Sequence, residues 1–125
     1  MECGGDVVSV ELKCSVSDVE DSYIPGVKII TMQCDRGQIK MDIHRDLNPV
    51  EKGGTINVGI YKYKPDYVKG VDFVAHGYVV TKRRQDGITK IYISLWGYIV
   101  IISTSDDTIE SMFGPMDKVY IKLWK

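Results

Sequence analysis

In the segment VVSVELKCSV (7–16), Val8, Val10, Leu12, Cys14 and Val16 alternate with Ser9, Glu11, Lys13 and Ser15. A period of two is that of a strand with one face buried. QIKMDIHRDL (38–47) repeats it, with Ile39, Met41, Ile43 and Leu47 against Lys40, Asp42, His44 and Asp46. Arg45 interrupts the apolar side there, which fits a barrel mouth. MDKVYIKLWK (116–125) sets Val119, Ile121 and Leu123 against Tyr120, Lys122 and Trp124, and TINVGIYKY (55–63) turns Ile56, Val58 and Ile60 inward. Residues 27–34 and 72–84 supply further strands. Turn residues separate these runs: Pro25-Gly26, Asp35-Arg36-Gly37, Asn48-Pro49 with Gly53-Gly54, and Gln85-Asp86-Gly87. Residues 103–114 carry capping chemistry and predict a short helical turn at most.

The run IYISLWGYIVII (91–102) has no charge. A membrane-spanning helix needs ~20 apolar residues, and this run is shorter and closely followed by Asp106 and Asp107. Its β-branched and aromatic residues favour a strand. Read as one strand, it points Ile91, Ile93, Leu95, Gly97, Ile99 and Ile101 one way, and Tyr92, Ser94, Trp96, Tyr98, Val100 and Ile102 the other. Neither face is polar, so both are expected to be covered.

Short strands, hairpin turns and no long helix or internal repeat predict an all-β fold, a closed or nearly closed antiparallel barrel of about seven or eight strands. A β-sandwich is the alternative. Gly59, Gly77 and Gly97 fall one per long strand, where a tightly curved barrel relieves crowding. The whole chain, 1–125, reads as one domain, 44% hydrophobic and 26% charged.

Charge narrows the partners. With 16 basic and 17 acidic residues, binding to nucleic acid requires local segregation of charge. Cys3, Cys14 and Cys34 are odd in number and form no CxxC pair, which fits a reduced, intracellular setting with Cys14 and Cys34 as small strand hydrophobes. The first ten residues lack the basic and apolar regions of a secretory signal. Few Asn and Gln residues fit a thermophilic source.

Candidate chemistry is sparse. His44 and His76 each lack a second ligand at metal-like spacing. No GxSxG elbow occurs, Gly53-Gly54-Thr55 lacks a P-loop lysine, and Asp42 and Asp46 read as a solvated face. A basic cluster of Lys82, Arg83 and Arg84, with Lys90 across the Asp86-Gly87 turn, forms a possible contact patch. Neighbouring Tyr92, Trp96 and Tyr98 could stack bases. A solvated hairpin, a protein partner and nucleic acid all remain open readings of this patch.

Taken in order, four stretches and the closing strand resemble the eighth small subunit of eukaryotic RNA polymerases, and most closely its shorter archaeal form, the G subunit. They are CSVSDVE (14–20), MDIHRDLNPV (41–50), VDFVAHGYVV (71–80), IYISLWGYIVII (91–102) and VYIKLWK (119–125). The matching positions include Asp42, Ile43, Leu47, Pro49, Val50, Asp72, Val74, Gly77, Tyr92, Ser94 and Gly97. Two departures stand out: the family's long loop between the fourth and fifth strands shrinks to KPDYVKG (64–70), and Trp96 replaces the first of its paired glycines.

The resemblance implies an OB-like Greek-key barrel with no catalytic residues, cofactor, membrane contact or small-molecule substrate of its own. It implies a cytoplasmic archaeal subunit of DNA-directed RNA polymerase, docked on the largest subunit and supporting assembly. Tyr92, Ser94, Trp96, Gly97 and Tyr98 are the expected interface, with a free edge beside them taking a partner strand by β-augmentation. A free-standing barrel that binds single-stranded nucleic acid is the alternative.

Overall fold

A computed structural model describes residues 8–48, 50–69 and 71–125. Eight antiparallel strands form a closed barrel: β1 (Ser9–Asp21), β2 (Val27–Cys34), β3 (Gly37–His44), β4 (Thr55–Tyr61), β5 (Phe73–Gln85), β6 (Ile88–Leu95), β7 (Tyr98–Thr104) and β8 (Lys118–Trp124). One short helix, α1 (Asp107–Met112), lies between β7 and β8. The alternating apolar residues line the interior. Val10, Leu12, Ile39, Met41, Ile43, Val58, Ile60, Val119, Ile121 and Leu123 are all buried in one core. No helix among the described residues is long and apolar enough to cross a membrane.

Around the barrel the order is β1-β2-β3-β7-β6-β5-β8-β4, with β4 closing on β1. It divides into two Greek keys of the same plan. In the first, β4 lies beside β1 and β1-β2-β3 follow by hairpins; in the second, β8 lies beside β5 and β5-β6-β7 follow. The long strands β1 and β5 each pair with the returning strand through their first half and with the hairpin partner through their second. Each is broken by a bulge, after Val16 and after Val79. The backbone detail repeats too. Val16 N–H donates to Gly54 O at 2.8 Å and its carbonyl accepts from Gly53 N–H at 2.9 Å; Val79 does the same with Asp117 O at 2.9 Å and Met116 N–H at 2.7 Å. No repeat in the sequence announces this, because a strand pattern of period two is satisfied by any apolar residue of suitable size.

At the matching place in each half the chain passes very close to itself. In the second half, Gly77 faces the end of β6, where a Cβ would lie 1.8 Å from Ser94 O. In the first half the place is taken by Cys14, directly opposite Cys34 with 4.0 Å between Cα atoms, and the two are joined by a disulfide. This corrects the expectation of two reduced, merely apolar cysteines. The register of β1 on β2 decides it, and register is invisible in cysteine counts. Cys3, the N-terminal stretch 1–7, Pro49 and Gly70 lie outside the described residues.

Three further expectations change. β3 ends at His44, and Arg45–Leu47 form a 3-10 turn whose N–H of Asp46 is capped by His44 Nδ1 at 3.1 Å; Leu47 is therefore exposed rather than inward. Gly97 sits in a turn and not in mid-strand. Gly59 makes room for a side chain instead of a bend: the Tyr61 ring lies across it and its hydroxyl donates to the Glu11 carboxylate at 2.7 Å. Burial, then the neighbouring Glu11, pushes the Tyr61 phenol well above its ordinary pKa. The helical turn comes as expected. Asp106 caps α1 by accepting from Thr108 and Ile109 N–H, and Ile109, Met112 and Phe113 complete the core.

Candidate partner-binding surface

The apolar run 91–102 is a hairpin, not one strand. β6 and β7 pair with Leu95 opposite Tyr98, leaving a two-residue turn at Trp96-Gly97. Both turn residues have positive φ, 57° and 98°, the backbone of a type I′ turn. A two-residue turn keeps Leu95 and Tyr98 on the same face, so the alternation reverses after it. Ile91, Ile93, Leu95, Val100 and Ile102 fill the barrel, whereas Ile99 and Ile101 face outward.

This divides the expected interface. Tyr92 and Ser94 face out and are partly exposed. Trp96 and Gly97 form the exposed turn. Tyr98 instead packs against the core at the barrel end. The free edge expected beside this strand is absent, because β6 is hydrogen-bonded to β5 on one side and β7 on the other.

An exposed apolar patch replaces it. Tyr78, Ser94 and Ile99 lie opposite one another in one row across β5, β6 and β7. Trp96 stands at the end of the hairpin and Val80, next to the shift in register, flanks the row. Trp96 is 78% exposed, Val80 54%, Tyr78 44% and Ile99 37%. Among the described residues the Trp96 ring meets one aromatic ring, that of His76, edge-on with centroids 5.6 Å apart. Left-handed backbone costs a non-glycine residue ~1–2 kcal/mol, and Asn, Asp or Gly relieve that cost in such turns. The tryptophan therefore sits in this turn at a backbone cost that Asn, Asp or Gly would not carry.

The basic cluster also divides. The bulge after Val79 shifts the alternation of β5 by one, placing Lys82 opposite the inward Ile91. Its Nζ donates to Glu110 O at 3.0 Å and Phe113 O at 2.9 Å and lies 3.2 Å from Glu110 Oε1. Lys82 thereby holds the C-terminal end of α1 over the barrel, with its ammonium group engaged within the chain. Arg83 and Lys90 remain opposite each other on the outer face and Arg84 is exposed. Lys82→Ala is expected to cost ~1–2 kcal/mol, the range of hydrogen bonds to a charged donor with some solvent access, and Arg84→Ala less than ~0.5 kcal/mol. Paired urea titrations measure both.

Among the described residues, no three His, Cys, Asp or Glu side chains gather where a metal ion could be held. His44 caps a turn and His76 lies between the rings of Trp96 and Tyr120.

The family model for RpbG, the G subunit of DNA-directed RNA polymerase, matches residues 9–125. The chain belongs to the RpbG family of RNA polymerase subunits. The subunit named Rpo8 of Sulfolobus acidocaldarius is 36% identical over 110 residues, covering 86% of this chain and 90% of that one. Rpo8 of Saccharolobus solfataricus is 28% identical over 116 residues, covering 87% of each. A solved molybdate-binding protein, ModG, overlaps 92% of this chain and 89% of its own at 11% identity and a TM-score of 0.38; at that level the likeness says nothing about what this chain binds.

As an RpbG-family protein of the archaeal type, this chain is a small component of DNA-directed RNA polymerase. Positive φ at both turn positions suits glycine best, and position 96 carries a large ring there at a backbone penalty. Composition could not reveal this, because tryptophan is not among the residues that announce a turn.

Proposed function

We propose that this subunit has no catalytic site of its own, works in the archaeal cytoplasm, and docks on the largest subunit of the polymerase through the outer face of β5, β6 and β7. The exposed Trp96, held in a left-handed turn beside Tyr78, Val80 and Ile99, carries the reading. Interface hot spots are aromatic anchors surrounded by apolar side chains, and a barrel without a free edge beside β6 must be gripped by its side chains rather than by an added strand. Closure also suits an assembly role, since a barrel held by its own core offers a rigid surface at little ordering cost.

Trp96→Asn separates stability from docking. Asn suits the turn, so the free barrel should be no less stable, gaining up to ~1 kcal/mol. Incorporation into reconstituted polymerase should weaken about 30-fold, the effect of losing one hot spot. A photoreactive residue at position 96 should cross-link to the largest subunit. Unchanged incorporation, or a cross-link to another subunit, overturns the docking reading.

A further inference from the structure

We infer that Cys34 is the exchangeable sulfur of the Cys14–Cys34 bridge, a site of reversible thiolation by small thiols whose occupation releases the cap of α1. Register and strand order set the two sulfurs apart. Asp35 N–H donates to Lys13 O at 3.1 Å, so the adjoining Cys14–Cys34 pair is a non-hydrogen-bonded one, where facing side chains come closest. Cys14 lies within β1, between Cys34 of β2 on one side and Ile56 of β4 on the other. It is 4% exposed. Cys34 is the last residue of β2 and is partly exposed at the barrel rim.

A depression at that rim is lined by Cys34, by Arg36 and Gly37 after it, and by Ser103 and Thr104 at the end of β7. In the order of strands around the barrel, β3 and β7 lie on the far side of β2 from β1. A thiolate attacks a disulfide sulfur from the side opposite the partner sulfur, because the new bond forms as the old one lengthens in line with it. For Cys34 that line opens on the depression. For Cys14 it runs towards the buried Ile56. A second depression borders Cys14 beside Lys13 and Asn57, yet the cysteine itself stays covered, so access favours Cys34.

The step is an exchange of one disulfide for another. The incoming thiolate sulfur bonds to Cys34 Sγ and the Cys14–Cys34 bond breaks. The electron pair of that bond leaves on Cys14 Sγ, which takes a proton from water. Attack by the Cys14 thiolate on Cys34 expels the small thiol and restores the bridge. In the cytoplasm proposed for this subunit, the bridge meets small thiols and their disulfides.

The depression adjoins the cap of the short helix. Thr104, itself buried, donates through Oγ1 to Arg36 O at 2.6 Å and accepts from Asp106 N–H at 3.0 Å. Asp106 in turn caps α1 by accepting from Thr108 and Ile109 N–H. A group carried on Cys34 fills the space beside the Arg36–Thr104 hydrogen bond, parts the β2–β3 turn from Thr104 and loosens Asp106. This holds whether or not Trp96 meets another subunit.

The test uses the full chain with Cys3→Ala, so that only the bridge sulfurs can exchange. The folded, oxidised protein is incubated with glutathione and quenched with acid, free thiols are alkylated, and the mixed disulfide is located by peptide mass spectrometry. Glutathione should sit on Cys34 at least ~10 times as often as on Cys14, since exchange follows access to the sulfur. Adding Cys14→Ser traps the mixed disulfide on Cys34. In that variant, amide exchange at Thr108 and Ile109 should be about fivefold faster with glutathione attached than without, the effect of losing one helix cap. Comparing the same variant with and without glutathione cancels any cost of the substitution. Glutathione spread evenly over the two sulfurs, or found mostly on Cys14, overturns the inference. So does exchange that occurs only where urea unfolds the chain, since the rim would then give no access in the folded barrel. Amides of α1 unmoved by thiolation, or two free thiols in the oxidised Cys3→Ala protein, overturn it as well.

Discussion

Gly77→Ala is expected to destabilise the barrel by ~4 kcal/mol or more, at the extreme of what single substitutions do. A Cβ at this position would lie 1.8 Å from Ser94 O, 2.7 Å from Ser94 C and 3.0 Å from Leu95 Cα. All three are backbone atoms, so no side-chain rotation relieves the clash. β5 would have to part from β6 where Tyr78 pairs with Ser94, and the barrel would open beside its core. Against a total stability of ~5–15 kcal/mol for a domain of this size, the variant should melt about 15 °C lower at ~4 °C per kcal/mol. Gly114→Ala is the control. Its Cβ would meet the Asp117 carboxylate at 3.4 Å, an ordinary contact with a movable group, and should cost less than ~1 kcal/mol. Thermal melts followed by circular dichroism compare the two. Equal melting temperatures would show that the close pass at Gly77 is not what holds β5 to β6.

Reducing the Cys14–Cys34 bridge should cost ~3 kcal/mol, because it frees a loop whose ends are 20 residues apart in sequence. The atoms in the core are otherwise the same before and after reduction, so the comparison creates no cavity. Urea midpoints with and without reductant should differ accordingly, and the oxidised, denatured chain should titrate one free thiol against three after reduction, given its three cysteines. Three thiols without reductant would remove the bridge altogether. The two predictions concern the same feature in each half of the barrel. One half manages the close pass with a glycine and the other with a covalent link. Gly77→Ala should therefore open β5–β6 and leave β1–β2 clipped, whereas reduction loosens β1–β2 and leaves Gly77 undisturbed.

Much of the fold was legible in the alternation of residues. Val10, Leu12, Cys14 and Val16, or Val119, Ile121 and Leu123, can bury one face only as strands, and Asp86-Gly87 marks a hairpin by its backbone freedom alone. The ordered resemblance to the small polymerase subunit rested on the same strand-and-glycine positions and led to the right family. These are local properties, written residue by residue. What the tertiary structure decided depended on which strand lies beside which, and in what register. Cys14 and Cys34 meet because β1 and β2 pair at that offset. Lys82 turns from the surface to α1 because a bulge shifts one strand by a residue. Residues 91–102 look continuous because both arms of a hairpin are apolar, so the reversal of faces at Trp96-Gly97 leaves no trace in hydrophobicity. Period and composition act along the chain, whereas register, parity and proximity across strands are properties of the closed barrel.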